Sequence, residues 1–187
     1  MTLKPQFSVC VYCGSRLGDS PAFAEAARAL GEGIATRGWR LVYGAGDVGL
    51  MGEVARAAQS AGAYTLGVIP EHLQSREVGK SDLSAFIVTE TMHERKKIMF
   101  MNADAVVALP GGLGSLDELF EVLTWRQLGL HAKPAFLLDI ESYWRPLTDL
   151  LDHVVERGFA GERVREFLQT ATSVDDLLSA LSDHAPA

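Results

Sequence analysis

A-V-V-A-L-P-G-G-L-G-S-L-D-E, residues 105–118, is the stretch that sets the fold class. Its first five residues are apolar, as in a strand buried on both faces. Three glycines follow within residues 111–114, then Ser115 and two acids, Asp117 and Glu118. The spacing predicts a helix over 115–128, directly after the glycine turn. Strand, glycine turn and helix in that order are the parts of a parallel α/β sheet, in which ligands bind outside the carboxyl ends of the strands.

The same alternation extends in both directions. Runs 7–12, 40–43, 64–69, 85–88 and 134–138 read as strands, with a last strand near 167–171. Helical patterns occupy 21–37, 49–61, 92–102 and 144–157, and two short helices flank the last strand. Such alternation gives an α/β fold with helices covering both faces of a parallel sheet of about seven strands. No repeat, low-complexity tract or linker interrupts the chain, and 187 residues suit a single domain over 1–187. The longest irregular stretch, 70–84, fits a functional lid or a merely variable surface loop. The terminal residues 182–187 are expected to fray.

Hydrophobic residues make up 48% of the chain, enough for a substantial core. The formal net charge is −7, from 17 basic and 24 acidic residues. Such a chain has no global field for nucleic acid, so an anionic ligand must be held by a local arrangement. No run approaches the roughly 18–20 apolar residues of a membrane span. The apolar run 7–12 is too short for a signal peptide, so a cytoplasmic protein is expected. Cys10 and Cys13 have C-x-x-C spacing, but the pair closes a strand and no second pair completes a zinc site. Both read as reduced thiols, and no metal is expected.

Three of the strands end in small or glycine-rich turns: Cys13-Gly14-Ser15-Arg16, Gly44-Ala45-Gly46-Asp47-Val48-Gly49 and Pro110-Gly111-Gly112-Leu113-Gly114-Ser115. The second matches G-x-G-x-x-G, a weak sign of dinucleotide binding. It follows the second strand rather than the first, and the next strand ends in Ile69-Pro70 with Glu71 a poor substitute for the expected acid, which argues against bound NAD. The third has better physics for one phosphate. Glycines let an anion approach the backbone, and a helix start offers open N–H groups and a positive dipole end. Ser115 adds a hydroxyl or, in the simpler reading, caps the helix.

Glu118 falls one turn after Ser115, about 5 Å further along the helix. That is about the offset from a ribose phosphate's phosphorus to its anomeric carbon, so Glu118 can address a sugar whose phosphate the glycines hold. Asp117 reads as an acid favoured by the first turn of a helix, and Glu121 shares the Glu118 face. The stretch T-M-H-E-R-K-K, 91–97, opens the preceding helix with cations that oppose its dipole. Local stability does not explain them, whereas supplying cations to an anion site does. His93 reads as a structural or capping residue, and Lys97 as part of a solvated face.

The ordered set GAGDVGLMG (44–52), TMHERK (91–96), PGGLGSLDE (110–118) and TWRQLGLH (124–131) resembles the Lonely Guy family. Its members are cytokinin riboside 5′-monophosphate phosphoribohydrolases, often mislabelled lysine decarboxylases. The resemblance covers nearly the whole chain. It implies a Rossmann-like three-layer α/β/α fold, a homodimer and no cofactor. The implied reaction is hydrolysis of the N-glycosidic bond of a nucleoside 5′-monophosphate, AMP included, to free base and ribose 5-phosphate. By motif position the family's catalytic arginine falls on Arg95 and its catalytic glutamate on Glu118. Its ligand contacts fall on Glu77, Arg95, Lys96, Gly111, Gly112, Leu113, Gly114, Ser115, Leu116, Asp117 and Thr124. Two departures stand out: Ala45 replaces the middle of a triple glycine, and Ser115 replaces a threonine. Ser115 keeps the hydroxyl. Ala45 is expected to demand a negative φ and so to tighten or reshape the pocket.

Two rival classes follow from the same residues. A decarboxylase would need pyridoxal phosphate on a lysine, and Lys96 and Lys97 sit in a charged helix start rather than an evident cofactor site. A nucleotide or molybdenum-cofactor carrier of the same fold would lack the Arg95 and Glu118 pair. The helix over 115–128 carries Leu116, Leu119, Phe120, Leu123, Trp125 and Leu128, apolar on too many sides for one exposed face. A partner subunit or a central buried position would cover the surplus.

Overall fold

A computed structural model describes residues 7–74 and 82–186. Seven strands form one parallel sheet: β1 (Ser8–Tyr12), β2 (Arg40–Tyr43), β3 (Tyr64–Pro70), β4 (Ala85–Thr89), β5 (Ala105–Ala108), β6 (Ala135–Leu138) and β7 (Gln169–Ala171). Their order across the sheet is β4-β3-β2-β1-β5-β6-β7. The chain therefore winds outward one way from β1 to β4 and the other way from β5 to β7. The reversal lies between β1 and β5, whose carboxyl ends flank the crevice where a doubly wound sheet binds its ligand.

Among the described residues six α-helices cover the faces: α1 (Pro21–Thr36), α2 (Gly49–Ser60), α3 (Met92–Met101), α4 (Leu113–Gln127), α5 (Arg145–Glu156) and α6 (Val174–Ser182). The period of two in β1 assigns the layers. Val9 and Val11 face α1, α2 and α6, while Cys10 and Tyr12 face the α3 and α4 side. Both faces of β1 and β5 are buried, which is why these strands read as unbroken apolar runs. On the second face Leu119 and Leu123 of α4 pack with Leu137, Trp144 and Leu147. Among the described residues no helix is long and apolar enough to cross a membrane.

One expectation is corrected here. α4 begins at Leu113, two residues before Ser115, because Gly112 takes the extended cap conformation (φ −92°, ψ −154°). At the chain end Ser182, Asp183, His184 and Pro186 are exposed, but two contacts tie this end to the fold. The His184 ring stands edge-on to Phe136 at 6.0 Å, and Ala185 packs against the core. The amphipathic α6 buries Leu177, Leu178 and Leu181 and carries these residues in with it. Within 70–84, Pro70 extends β3 by pairing with Thr89, and Glu71–Leu73 form a 3-10 turn. Glu77 lies outside the described residues.

Candidate active site

The carboxyl ends of β1 and β2, the start of α3 and the start of α4 enclose a cavity of about 290 Å³. Gly112, Leu113, Gly114, Ser115 and Glu118 line it from α4, Arg95 from α3, and Tyr12, Gly14, Ser15 and Gly44 from the strand ends. Met51, Leu73, Met92 and Met99 form its apolar wall. Hydrogen bonds lace the three turns together: Gly14 N donates to Pro110 O (3.0 Å), Leu109 N to Tyr12 O (2.9 Å) and Leu50 N to Gly14 O (3.0 Å).

No side chain caps α4, so its first-turn N–H groups have neither an intrahelical partner nor a capping oxygen. Ser115 is not the cap. It sits inside the first turn, buried, with its Oγ against the Gly111 backbone, where an added Cβ would come within 2.2 Å. Gly112 and Gly114 face open space, with nothing within 4 Å of an added Cβ. An uncapped helix start lined by accessible backbone is suited to an anion.

Arg95 is 4% exposed. Its Nε donates to Val68 O (3.1 Å) and its Nη2 to Gly44 O (2.8 Å), so the ends of β3 and β2 fix the guanidinium. The cation-rich start of α3 is tolerated because Thr91 and Glu94 form a reciprocal capping box. His93, expected to be structural or capping, is exposed while Thr91 supplies the cap. The expected group of cations divides: Arg95 lines the cavity, while the Lys96 ammonium is held by Asp117 (3.0 Å) and Glu121 (3.2 Å). Burial alone would lower the Lys96 pKa, but the bonds from the two acids outweigh it and raise it.

Glu118 is half-buried and reaches the cavity one turn beyond Ser115. Burial, and secondarily the Glu118 charge, pushes the Cys10 thiol up, so it stays protonated. The Tyr12 phenol is raised by burial first, then by Cys10 and Glu118, and is a neutral O–H beside the carboxylate. Cys10 and Cys13 pack on opposite faces of the sheet as thiols. Among the described residues no three His, Cys, Asp or Glu side chains cluster as a metal site would require.

Not every expected contact gathers here. Leu116 packs against the α4–α5 layer, and Asp117 turns to Lys96. Thr124 is exposed and donates to Phe120 O, nine residues and about 13 Å along the helix from Ser115. The expected effect of Ala45 is wrong in its premise: Ala45 has φ +58° and is fully buried. The interlocked turn holds it left-handed, and its Cβ covers Gly67, where a second Cβ would come within 2.7 Å. Sequence reasoning missed Tyr12 and the methionine wall, and reached Ser15 only as part of a strand-end turn. For Tyr12 the signal was a polar tip at the end of an otherwise apolar strand; for the methionines there was none.

A family described as "Possible lysine decarboxylase" matches residues 51–181. The cytokinin riboside 5′-monophosphate phosphoribohydrolase LOG1 of Arabidopsis thaliana is 40% identical over 187 residues, all of this chain and 88% of its own length. The corresponding LOG protein of Oryza sativa subsp. japonica is 42% identical over 178 residues, 95% of this chain and 74% of its own. Among solved structures, the Moco carrier protein of Chlamydomonas reinhardtii superposes with a TM-score of 0.71 at 23% identity, covering 95% of this chain and 96% of its own. The molybdenum cofactor binding protein of Rippkaea orientalis gives 0.68 at 23%, covering 98% of each. At that identity the two structures establish the Rossmann-like three-layer fold alone. The sequence matches go further: this chain belongs to the "Possible lysine decarboxylase" family, together with the plant proteins that bear the phosphoribohydrolase name.

Proposed function

We propose that this protein hydrolyses the N-glycosidic bond of nucleoside 5′-monophosphates, cytokinin riboside 5′-monophosphates and AMP among them, to free base and ribose 5-phosphate. The observation that carries the reading is one cavity holding an uncapped helix start with open glycines, Glu118 one turn further on, and the fixed charge of Arg95. The 40% identity to a relative of that name supports the same reaction.

The glycine turn and Ser115 hold the 5′-phosphate, and that remote contact sets the geometry at the sugar. As the C1′–N bond breaks, its electron pair leaves with the base and positive charge develops on the ribose. Glu118 faces that charge and orients the attacking water, the role carboxylates play in glycoside hydrolysis. The water oxygen bonds to C1′, and the proton it sheds balances the one the departing base takes up. Water is the only co-reactant, so no cofactor is called for. Arg95 is too basic to act as a general acid and contributes fixed positive charge to the phosphate or ribose oxygens.

The protein acts, on this reading, as a cytoplasmic homodimer. Phe120, Thr124 and Leu128 form an exposed i, i+4, i+8 stripe on α4, and Met101 and Leu130 are also exposed. Thr124, remote from its own cavity, then meets nucleotide only across a subunit contact. Sedimentation showing only monomer at micromolar concentration would remove the dimer and Thr124 together. The reaction is tested by chromatography of AMP and isopentenyladenosine monophosphate incubated with the protein. Free base and ribose 5-phosphate in equal amounts are expected. Tight nucleotide binding with no base released would replace hydrolysis by a carrier role.

A further inference from the structure

Beside the first cavity, sharing Gly14, Ser15, Gly112 and Leu113 with it, lies a second of about 530 Å³, lined among others by Arg16, Leu17, Phe23 and Tyr143. The Tyr143 hydroxyl donates to Gly111 O at 2.5 Å, a short contact from a residue 32 positions away. The backbone before it takes an uncommon conformation. Glu141 (φ +55°) and Ser142 (φ +58°) are consecutive non-glycine residues in the left-handed region. Three further bonds hold the turn: Ser20 Oγ to Glu141 Oε1 (2.9 Å), Trp144 N to Asp139 Oδ1 (2.6 Å) and Tyr143 N to Ile140 O (3.1 Å). The Tyr143 ring stands edge-on to Phe23 (5.8 Å) and to Trp144 (4.9 Å), which fixes its direction.

We propose that Tyr143 is a positioning residue for the phosphate turn, acting through the Gly111–Gly112 peptide. The C=O and N–H of a planar trans peptide point in opposite directions. With Gly111 C=O held toward Tyr143, Gly112 N–H is turned away from it, and Gly112 lines the first cavity together with Ser115 and Glu118. A hydrogen bond to the carbonyl also polarises the peptide and makes the opposite N–H a stronger donor. The turn thus aims one amide of the anion site. An otherwise mobile glycine pair gains a fixed orientation before substrate arrives.

The inference rests on the phosphate reading of the turn, and the experiment separates the two. Tyr143→Phe keeps the ring contacts and removes only the hydroxyl. KM for AMP is expected to rise about fivefold, the effect of one lost hydrogen bond, with kcat within about twofold. Ki for ribose 5-phosphate as a competitive inhibitor should rise by the same factor, while Ki for adenosine, which lacks the phosphate, stays constant. An unchanged KM, or equal weakening of adenosine, would overturn the role of Tyr143. Wild-type protein that binds adenosine as tightly as AMP would overturn the phosphate reading itself, and the role of Tyr143 with it.

Discussion

Two glycine turns flank the β1 turn at the carboxyl edge of the sheet, and they use glycine differently. In the turn after β2 the missing side chains make room for the protein. A Cβ on Gly44 would come within 2.0 Å of Arg95 Nη2, and one on Gly49 within 2.3 Å of the Ser15 backbone. In the turn after β5 Gly111 is packed as tightly, its Cβ coming within 2.2 Å of Ser115 Oγ, but Gly112 and Gly114 leave room for something else, since Cβ atoms there would meet nothing within 4 Å. Both segments look alike in sequence. A glycine pattern announces a close approach, but only the folded chain tells whether the visitor is a neighbouring loop or a ligand. Here the G-x-G-x-x-G turn is scaffold for a cationic side chain, and the P-G-G-L-G-S turn is the open half of the cavity.

The largest effect that tests this contrast lies on the open side. Glu118→Gln keeps shape and removes charge, and should lower kcat for AMP by about 10³-fold, within the range for a single acid–base group. Nucleotide affinity by calorimetry should stay within a few-fold, because the phosphate contacts are untouched. Near-wild-type turnover would take Glu118 out of the chemistry. Next comes the closed turn. Gly44→Ala forces Arg95 off a buried carbonyl and should destabilise the fold by about 3 kcal/mol, read from urea unfolding. Gly112→Ala is the counter-test: stability should hold within about 0.5 kcal/mol, while KM for AMP rises about tenfold through a weakened charged contact. If both variants lost stability alike, the distinction between the turns would collapse.

Local chemistry made much of this legible in advance. β2 falls at 40–43 as read from its apolar run, and β1, β3, β4, β5 and β6 lie within one residue of theirs. That Glu118 lines the same cavity as Ser115, one turn further on, follows from a spacing that a sequence carries directly. What failed was non-local. α4 started early because a glycine at the cap is indistinguishable in sequence from one in the turn. Lys96 left the anion site because Asp117 and Glu121, more than 20 residues later, bind it first. Ala45 took a left-handed conformation that no local rule favours. Tyr143 reaches Gly111 across 32 residues with no periodic signal to betray it.

The Lys96 clamp gives a smaller effect with a defined pH sign. Its pKa is raised on folding, so its contribution is fully present below the ordinary lysine value near 10.4 and lost as pH rises through the folded value. The wild-type protein should therefore lose stability on the alkaline side, and Lys96→Met should show a shallower decline there. At pH 8 the substitution should cost about 1 kcal/mol. Asp117 is well exposed and its charge returns to water, so the pair behaves more like a surface bridge than a buried one. Melting temperatures from pH 8 to 11 would check both. An identical alkaline decline in the variant would assign it to other groups.

The smallest expected effect probes the scaffold turn where it departs from glycine. Ala45→Gly relieves a left-handed alanine, a gain of about 1–2 kcal/mol. Against this stand a buried methyl over Gly67, about 0.8 kcal/mol, and the added freedom of glycine in the unfolded chain, about 0.4–1 kcal/mol. The three terms nearly cancel, so stability should move by less than about 0.5 kcal/mol. Activity should follow it closely, because Ala45 reaches the cavity only through the Gly44 carbonyl that holds Arg95. A loss above about 2 kcal/mol would instead make that methyl the piece that locks β3 to the turn. In that case the closed turn would depend on the Ala45 methyl more than on the glycines around it.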